Sequence, residues 1–309
     1  MTDARKWEIG LSTGWNGNAS RETFEFYKAN GIKHIEVSMG HERFLEIDWD
    51  EIKRSAEETG VNIWSVHLPF MPYKQINFGD TAGPAREYTV QMAKNAIDHM
   101  GELGIPHLVI HSGVDMFDPE NRDKCMQNAC NSLAELAEYG APKGVTICVE
   151  NMPRTGLGNV IPEMKQLVAS HPALRVCFDT NHLLRNRHVD FIRELGDKIV
   201  TLHVSDYDFH DERHIFPYEG DVKWIELVEE LEKVNYNGVW MYECGLGERK
   251  GIVRERPVTV ADLKENHQCC IAKKEWPSFA KWDEEFCKSH TYIEDPAVYH
   301  GENFRRKRG

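Results

Sequence analysis

The chain has 309 residues, which is too long for a disulfide-held miniprotein and allows either two average domains or one large α/β barrel. Its 37 basic and 50 acidic residues give a net charge of −13 with histidine neutral, which argues against a nucleic-acid partner unless a locally basic groove exists. No apolar run reaches the roughly 18 residues of a membrane span, and the polar first ten residues lack the apolar core of a signal peptide.

Eight short apolar runs, each followed by an amphipathic stretch, recur along the chain. They begin near residues 8, 33, 61, 106, 145, 174, 199 and 238, a spacing of about 33 residues that matches one βα unit. Apolar runs without polar alternation are typical of parallel strands covered on both faces. Eight such units predict a single (β/α)8 TIM barrel over residues 1–272. A doubly wound open sheet is the competing fold, but no Gly-rich dinucleotide loop follows the first strand.

The segments between these runs carry signals for helices. Ser20 is placed to cap a helix that runs to Asn30 and stops at Gly31. Further helices are predicted over residues 50–59, 86–103, 125–139, 224–234 and 258–272, and the first three of these end at a glycine.

The last part of the chain, residues 273–309, departs from the barrel pattern. It ends in RRKRG and contains seven large aromatic residues, namely Trp276, Phe279, Trp282, Phe286, Tyr292, Tyr299 and Phe304. Aromatic residues at this density predict packing against another surface. We expect an aromatic-rich C-terminal extension that lies on the barrel or contacts a partner subunit, which would make the protein a homo-oligomer.

The eight cysteines predict a reducing compartment. None of them forms a C-x-x-C pair, and Cys148, Cys177 and Cys244 lie within apolar, strand-like runs. This usage is typical of buried thiols and predicts a cytoplasmic protein that is not attached to a membrane.

Acidic or histidine residues end six of the eight predicted strands. The carboxyl ends of the strands of a parallel barrel meet at one mouth, so these side chains are expected to converge there. They are His67, His111, Glu150, Asp179 (with His182 three residues later), His203 and Glu243. A buried carboxylate or imidazole is costly unless it is paired or bound to a metal, so six in one register predict a functional site.

Four of these residues, Glu150, Asp179, His203 and Glu243, form the predicted metal site. Three carboxylates and one imidazole suit a single divalent ion of intermediate hardness, such as Mn²⁺, Mg²⁺, Co²⁺ or Zn²⁺. The same carboxylates without a cation would repel one another and take up protons. A metal therefore explains the group better than an acid/base pair alone.

The motifs VENMPR, CFDTNH, LHVSDYD and MYECG, in this order, resemble the xylose isomerase-like TIM-barrel superfamily and its sugar phosphate isomerase/epimerase group. The resemblance spans roughly residues 8–270. It implies that Glu150 and Glu243 bind the metal and also act as acid and base, and that Asp179 and His203 complete the metal site. His182 resembles the histidine that contacts substrate oxygens in ketose epimerases.

Further residues are expected to contact the substrate. Ketose 3-epimerases carry a glutamate and an arginine where this chain has Gly156 and Phe209, and Arg154 or Arg213 can take the place of the missing arginine. Three histidines at or near the mouth, His67, His111 and His214, are candidate substrate contacts. Trp15, after the first strand, is placed to stack on a sugar ring.

These features predict a sugar isomerase or epimerase that works by proton transfer next to a carbonyl, through a metal-bound enediolate. The substrate would be a small carbohydrate or carbohydrate derivative. One alternative is a lyase or dehydratase acting on a keto-sugar, an inosose or a C-glycoside. In that reaction the enediolate expels a neighbouring group, and His67, His111 or His214 supplies the proton.

Another alternative is a zinc-dependent AP endonuclease similar to endonuclease IV, which uses three zinc ions. This chain offers comparable residues in His67, His111, His182 and the triplet Glu212-Arg213-His214. Residues 205–221, however, carry six acidic residues and one arginine, which is a poor surface for a DNA duplex. A non-catalytic barrel that serves as a binding subunit is the remaining alternative, and the complete set of metal-ligand residues argues against it.

Overall fold

The computed structural model describes residues 7–14, 18–114 and 121–291, and its centre is a ring of eight parallel strands. The strands are β1 (Ile9–Ser12), β2 (His34–Ser38), β3 (Asn62–His67), β4 (His107–His111), β5 (Thr146–Glu150), β6 (Arg175–Asp179), β7 (Ile199–His203) and β8 (Trp240–Tyr242). Successive strands are neighbours, and β8 also pairs with β1. Val204 bridges to Tyr242, and its N–H donates to the carbonyl of Met241 at 2.8 Å, which joins β7 to β8 and closes the ring.

Helices occupy the connections between the strands. They are α1 (Arg21–Ala29), α2 (His41–Leu45), α3 (Trp49–Thr59), α4 (Pro84–Leu103), α5 (Arg122–Gly140), α6 (Ile161–Ala169), α7 (His188–Leu195), α8 (Trp224–Lys233), α9 (Val260–Ile271) and α10 (Glu284–Ser289). As predicted, α3 and α4 end at Gly60 and Gly104, whose φ angles of 73° and 69° are left-handed and suit glycine. Ser20 precedes α1 as predicted, but its side chain makes no capping hydrogen bond with the helix backbone. The predicted (β/α)8 fold is confirmed.

Strand periodicity decides which side chains point into the barrel. Val109, Cys148 and Cys177 form a small apolar cluster with Val200. Side chains two positions apart on a strand share a face, so Glu150 lies on the same inner face as Cys148, and Asp179 on the same inner face as Cys177. The inner face therefore changes from apolar to acidic towards the carboxyl ends of β5 and β6.

The described part of the C-terminal extension returns towards the barrel. A short strand, β10 (Ala280–Trp282), pairs antiparallel with β9 (Ile252–Arg254). Trp276 is buried and packs edge-on against Phe216, with ring centroids 5.4 Å apart. The guanidinium of Arg213, in the loop after β7, lies 5.7 Å from the centre of the Phe286 ring in α10. Contact with a partner subunit stays a prediction, and Tyr292, Tyr299 and Phe304 lie outside the described residues.

All eight cysteines are free thiols. Burial raises the pKa of Cys177 in the barrel interior well above its usual value, so this thiol is protonated and unreactive at neutral pH. In the parts of the chain that the structure describes, every helix is too short or too polar to cross a membrane.

Candidate metal centre and substrate cavity

The predicted metal ligands meet at the mouth of the barrel. Glu150, Asp179, His203 and Glu243 each offer one ligand atom, and these atoms all lie within 4.8 Å of one another. His203 is central: its Nδ1 lies 3.2 Å from Glu150 Oε1, 3.2 Å from Glu243 Oε2 and 3.9 Å from Asp179 Oδ2. All four residues are buried. The structure thus brings together the four residues that the strand-end pattern singled out.

Hydrogen bonds fix Asp179 with one oxygen towards this group. Asp179 N donates to Asn151 Oδ1 at 2.8 Å, and Asn151 Nδ2 donates back to the Asp179 carbonyl at 2.9 Å. The N–H of Asn181 donates to Asp179 Oδ1 at 2.5 Å. Asp179 Oδ2 is left buried and has no hydrogen-bond partner among the described residues. Glu243 Oε2 is also buried, and although it lies 3.2 Å from His203 Nδ1, the two groups are not aligned for a hydrogen bond. A buried carboxylate oxygen without a donor is costly, so a cation fits this position.

Two polar side chains, Glu36 and Ser65, lie beneath His203. His203 Nε2 lies 2.9 Å from Glu36 Oε2, and Ser65 Oγ donates to the same oxygen at 2.7 Å. All three side chains are buried. A carboxylate that accepts from one ring nitrogen of a histidine leaves the other nitrogen available as a metal ligand. One signal in the sequence points to this role, namely an acidic residue between the apolar Ile35 and Val37 of β2.

The electrostatics of the group indicate an excess of negative charge. Burial and the neighbouring Glu243 and Glu150 charges raise the pKa of Asp179 to about 8, although His182 opposes this. Burial disfavours a charged His203, but the surrounding carboxylates outweigh it and raise the pKa of His203 well above its usual value. In the absence of a cation, protons offset the negative charge of the carboxylates. A divalent cation would displace these protons and supply the positive charge instead.

Three further histidines surround Glu150. His67 Nε2 and His111 Nε2 lie 3.1 Å and 3.2 Å from Glu150 Oε2, and His182 Nδ1 lies 3.3 Å from Glu150 Oε1. Burial lowers the pKa of His67, but the hydrogen bond and charge of Glu150 outweigh it and raise the pKa to about 9. His111 differs, because burial dominates and lowers its pKa. The imidazole of His67 is thus a protonated partner of Glu150.

A second group of possible metal ligands adjoins the first. His182, Glu212 and His214 offer ligand atoms within 4.8 Å of one another. Glu212 Oε2 lies 3.3 Å from His182 Nε2 and 3.9 Å from His214 Nε2. Burial raises the pKa of the Glu212 carboxyl, but hydrogen bonds from the two histidines outweigh it and hold the pKa well below its usual value. The backbone N–H of His214 donates to Asn181 Oδ1 at 3.1 Å, which ties this group to β6.

A cavity of about 490 Å³ opens above both groups. The predicted substrate contacts His67, His111, His182, His214 and Arg154 all line it, together with Glu212 and Glu243. Trp15 lies outside the described residues.

The two candidate arginines behave differently. Arg154 is paired with Asp211 and Glu212, with N–O distances of 2.8 Å to each, so its charge is already compensated. Arg213 does not line the described cavity; it is buried against Asp208, with its Nη2 2.9 Å from Asp208 Oδ2. Of the two possible replacements for the missing arginine, only Arg154 faces the cavity.

The amino-acid sequence matches a known protein family and several related proteins. The sequence profile described as "Xylose isomerase-like TIM barrel" matches residues 24–258. An uncharacterised protein of Sinorhizobium fredii is 22% identical over 258 residues, which is 74% of this chain and 82% of that protein. A probable endonuclease 4 of Cenarchaeum symbiosum is 26% identical over 159 residues, which is 46% of this chain and 54% of that protein.

Solved structures share the fold over most of the chain. A D-tagatose 3-epimerase-like protein superposes with a TM-score of 0.72 at 21% identity, covering 86% of this chain and 99% of the other. A 3-keto-D-glucoside 4-epimerase from E. coli superposes with a TM-score of 0.69 at 18% identity, covering 85% of this chain and 100% of the other. At these identities the likeness establishes the fold alone.

Proposed function

The chain belongs to the xylose isomerase-like TIM-barrel family, and on that premise we propose that it is a divalent-metal-dependent isomerase or epimerase of a small carbohydrate. The observation that carries the proposal is the buried group Glu150, Asp179, His203 and Glu243, in which two carboxylate oxygens have no hydrogen-bond partner among the described residues. The solved structures with the same fold include proteins described as sugar epimerases, which supports the same substrate class.

These four residues would hold one divalent ion. Mixed carboxylate and imidazole ligands suit Mn²⁺, Mg²⁺, Co²⁺ or Zn²⁺, and we expect Mn²⁺ to serve. A bound ion would polarise a substrate carbonyl and hold two neighbouring substrate oxygens in place.

Glu243 is the proposed base. Among the three carboxylates of the group it is the one that lines the described cavity, so it can reach a substrate carbon. Burial raises the pKa of Glu243, but the charges of His203 and His214 outweigh it and hold the pKa below its usual value. Glu243 is therefore ionised at neutral pH and can accept the proton from a carbon next to a carbonyl, which leaves an enediolate.

Glu150 and His67 together form the proposed second proton carrier. Glu150 is fully buried, whereas His67 touches it at 3.1 Å and lines the cavity. A pKa of about 9 keeps a proton on His67 at neutral pH. Returning that proton to the other face of the enediolate gives epimerisation, and returning it to the adjacent carbon gives isomerisation.

Proton exchange tests this proposal directly. Wild-type protein with saturating Mn²⁺ is incubated in D₂O with a panel of ketoses, aldoses and inososes, and deuterium is expected at the carbon next to the carbonyl of at least one. Glu243→Gln should lower that rate by roughly 10²- to 10⁴-fold while the fold is kept. Glu230→Gln, in α8 on the outside of the barrel, is the matched control. Full activity of Glu243→Gln would rule out its role as the base, and no exchange across the panel would contradict the enediolate reaction.

The lyase alternative is favoured by one observation, the charged histidines that face the cavity. Burial lowers the pKa of His214, but the hydrogen bond that it donates to Glu212 and the Glu243 charge outweigh this and raise it. Burial likewise opposes the charged form of His182, but Asp179 and Glu150 raise its pKa well above the usual value. A leaving hydroxyl or aglycone needs such a proton donor. Mass spectrometry of the products separates the two reactions, because elimination removes the leaving group and isomerisation keeps the mass.

The endonuclease alternative is favoured by the second ligand group, His182, Glu212 and His214. Metal analysis separates it from our proposal. One ion per chain supports the isomerase or epimerase, whereas three zinc ions per chain together with cleavage of DNA at abasic sites would overturn it. The acidic residues in the loop after β7 and the net charge of −13 argue for a substrate without a phosphate backbone.

A further inference from the structure

Among the residues that the structure describes, the cavity is lined by both polar and apolar side chains. The histidines and carboxylates at the strand ends form a polar floor. The lining also contains His41, Arg43 and Tyr73. Its apolar side chains are Met39, Phe70, Met71, Val114, Met152 and Pro153. Three of these six side chains are methionines, which adapt their shape to irregular apolar ligands.

Two of these side chains are unusually exposed for their size. Phe70 is 37% exposed and Met71 is 55% exposed. In the described parts of the chain the other large hydrophobic side chains with comparable exposure are Phe26, Leu45 and Val253, which are scattered along the sequence. Adjacent exposed apolar side chains at the rim of a cavity are typical of a binding surface, whereas scattered ones are common.

The loop that presents Phe70 and Met71 is fixed on both sides. Phe70 stacks on His111, with ring centroids 4.2 Å apart and an angle of 24° between the rings. Further along, Asn77 Nδ2 donates to the carbonyl of Val114 at 3.0 Å, and Asn77 Oδ1 accepts from Val114 N at 3.2 Å. The apolar rim is therefore held in place beside the polar floor rather than exposed by a loose loop end.

The chemistry of this wall does not suit a second set of sugar hydroxyls. A hydroxyl placed against methionine, phenylalanine and valine side chains would lose its hydrogen bonds to water without replacement. The cavity of about 490 Å³ falls within the roughly 300–1,000 Å³ typical of sites for drug-sized ligands, so it has room for more than a sugar ring.

We infer that the cavity has a subsite for an apolar substituent, formed by Phe70, Met71, Met39 and Met152, and that the substrate is a sugar carrying an aryl or alkyl group. The inference rests on the proposed function, because it assumes that the sugar lies on the polar floor. Keto-sugar derivatives with an apolar substituent are the substrate class that combines both parts, because they keep the carbonyl that the proposed reaction requires.

Binding measurements test the subsite without requiring turnover. Methyl and phenyl glycosides of a panel of common hexoses and pentoses are titrated into Mn²⁺-loaded protein by calorimetry. For at least one sugar, the phenyl glycoside is expected to bind about tenfold or more tightly than the methyl glycoside, with a more negative heat-capacity change. Met71→Ser should reduce this preference severalfold, and Phe70→Ser should do so independently.

Phe26→Ser provides the matched control, because Phe26 is an exposed apolar residue of α1 that does not line the cavity. It should keep the full preference for the phenyl glycoside. The inference is overturned if no phenyl glycoside binds more tightly than its methyl counterpart, or if both rim variants keep the wild-type preference. Deuterium exchange of free sugars reports on the proposed function separately, so exchange without a phenyl preference would reject the subsite alone.

Discussion

His203 and Glu36 are joined in the barrel interior by a contact of 2.9 Å between His203 Nε2 and Glu36 Oε2. Because a carboxylate oxygen accepts at this nitrogen, Nε2 carries a proton and Nδ1 is directed at the three carboxylates of the metal group. Ser65 donates to the same oxygen of Glu36 and limits its rotation. This pair therefore sets the orientation of the one imidazole in the proposed metal site.

Replacing Glu36 tests this positioning role. Glu36→Gln keeps the size of the side chain but removes its negative charge, so the His203 ring is oriented less well and is a weaker ligand. We expect Mn²⁺ affinity to fall by roughly 10- to 100-fold, in line with the loss of other residues that support metal ligands. Calorimetric titration of metal-free protein measures the change. Glu230→Gln should bind Mn²⁺ like the wild type, and an unchanged affinity in Glu36→Gln would exclude the role.

The dependence of metal affinity on pH follows from the pKa of Asp179. A ligand must be deprotonated to bind a metal, and burial with the neighbouring carboxylates raises the pKa of Asp179 to about 8. Mn²⁺ affinity should therefore rise as the pH increases from 6 to 8. At pH 7, titrations in buffers of different ionisation enthalpy should show release of at least about one proton per ion. An affinity that is constant between pH 6 and 8 would contradict this protonation of the group.

The repeated βα units, and the residues at the ends of their strands, could be predicted from the sequence. Each strand end follows a recognisable apolar run, so the positions of Glu150, Asp179 and His203 in one register could be read directly. The role of Glu36 could not, because an acidic residue within a strand becomes informative only when the barrel places it against a particular partner. The pairing of β9 with β10 was also missed, since three-residue strands separated by a helix leave no periodic signal.

The sequence also does not indicate which way the side chain of an individual arginine points. Arg213 lies between Glu212 and His214 in the chain, yet its side chain turns away from the cavity to Asp208, and its Nη2 donates to the carbonyl of His290 at 2.5 Å. Nothing in the local sequence indicates that the extension supplies this partner. The extension thereby contacts the loop that carries two residues of the second ligand group.

The buried pair of Arg213 and Asp208 is expected to stabilise the fold. Both side chains are about nine-tenths buried or more, so Arg213→Met leaves an unpaired carboxylate in the interior. We expect a loss of roughly 3–5 kcal/mol in the free energy of unfolding, measured with urea at pH 7. Adding Asp208→Asn should recover part of the loss, because it removes the unpaired charge. A loss below about 1 kcal/mol in Arg213→Met would mean that the pair contributes little.

His188 gives the protein a predictable acid sensitivity. Burial lowers its pKa to about 4, and its Nε2 donates to the Thr180 carbonyl at 2.6 Å. Between pH 6.5 and 4 the unfolded chain takes up a proton at this position and the folded chain does not, so stability falls as the pH decreases through this range. Above pH 6.5 both states are neutral and the effect vanishes. The full contribution is about 3 kcal/mol, from roughly 1.4 kcal/mol per unit of pKa shift.

His188→Gln keeps a donor for the Thr180 carbonyl but cannot titrate. Urea unfolding of both proteins between pH 4 and 8 should therefore give a difference that changes in one direction: the wild type loses stability relative to the variant as the pH falls from 6.5 to 4. Other titrating groups are common to the two proteins, so they cancel in this comparison. A difference that stays constant over the whole range would mean that His188 takes up its proton at the same pH in the folded and unfolded chains, and hence that burial does not lower its pKa.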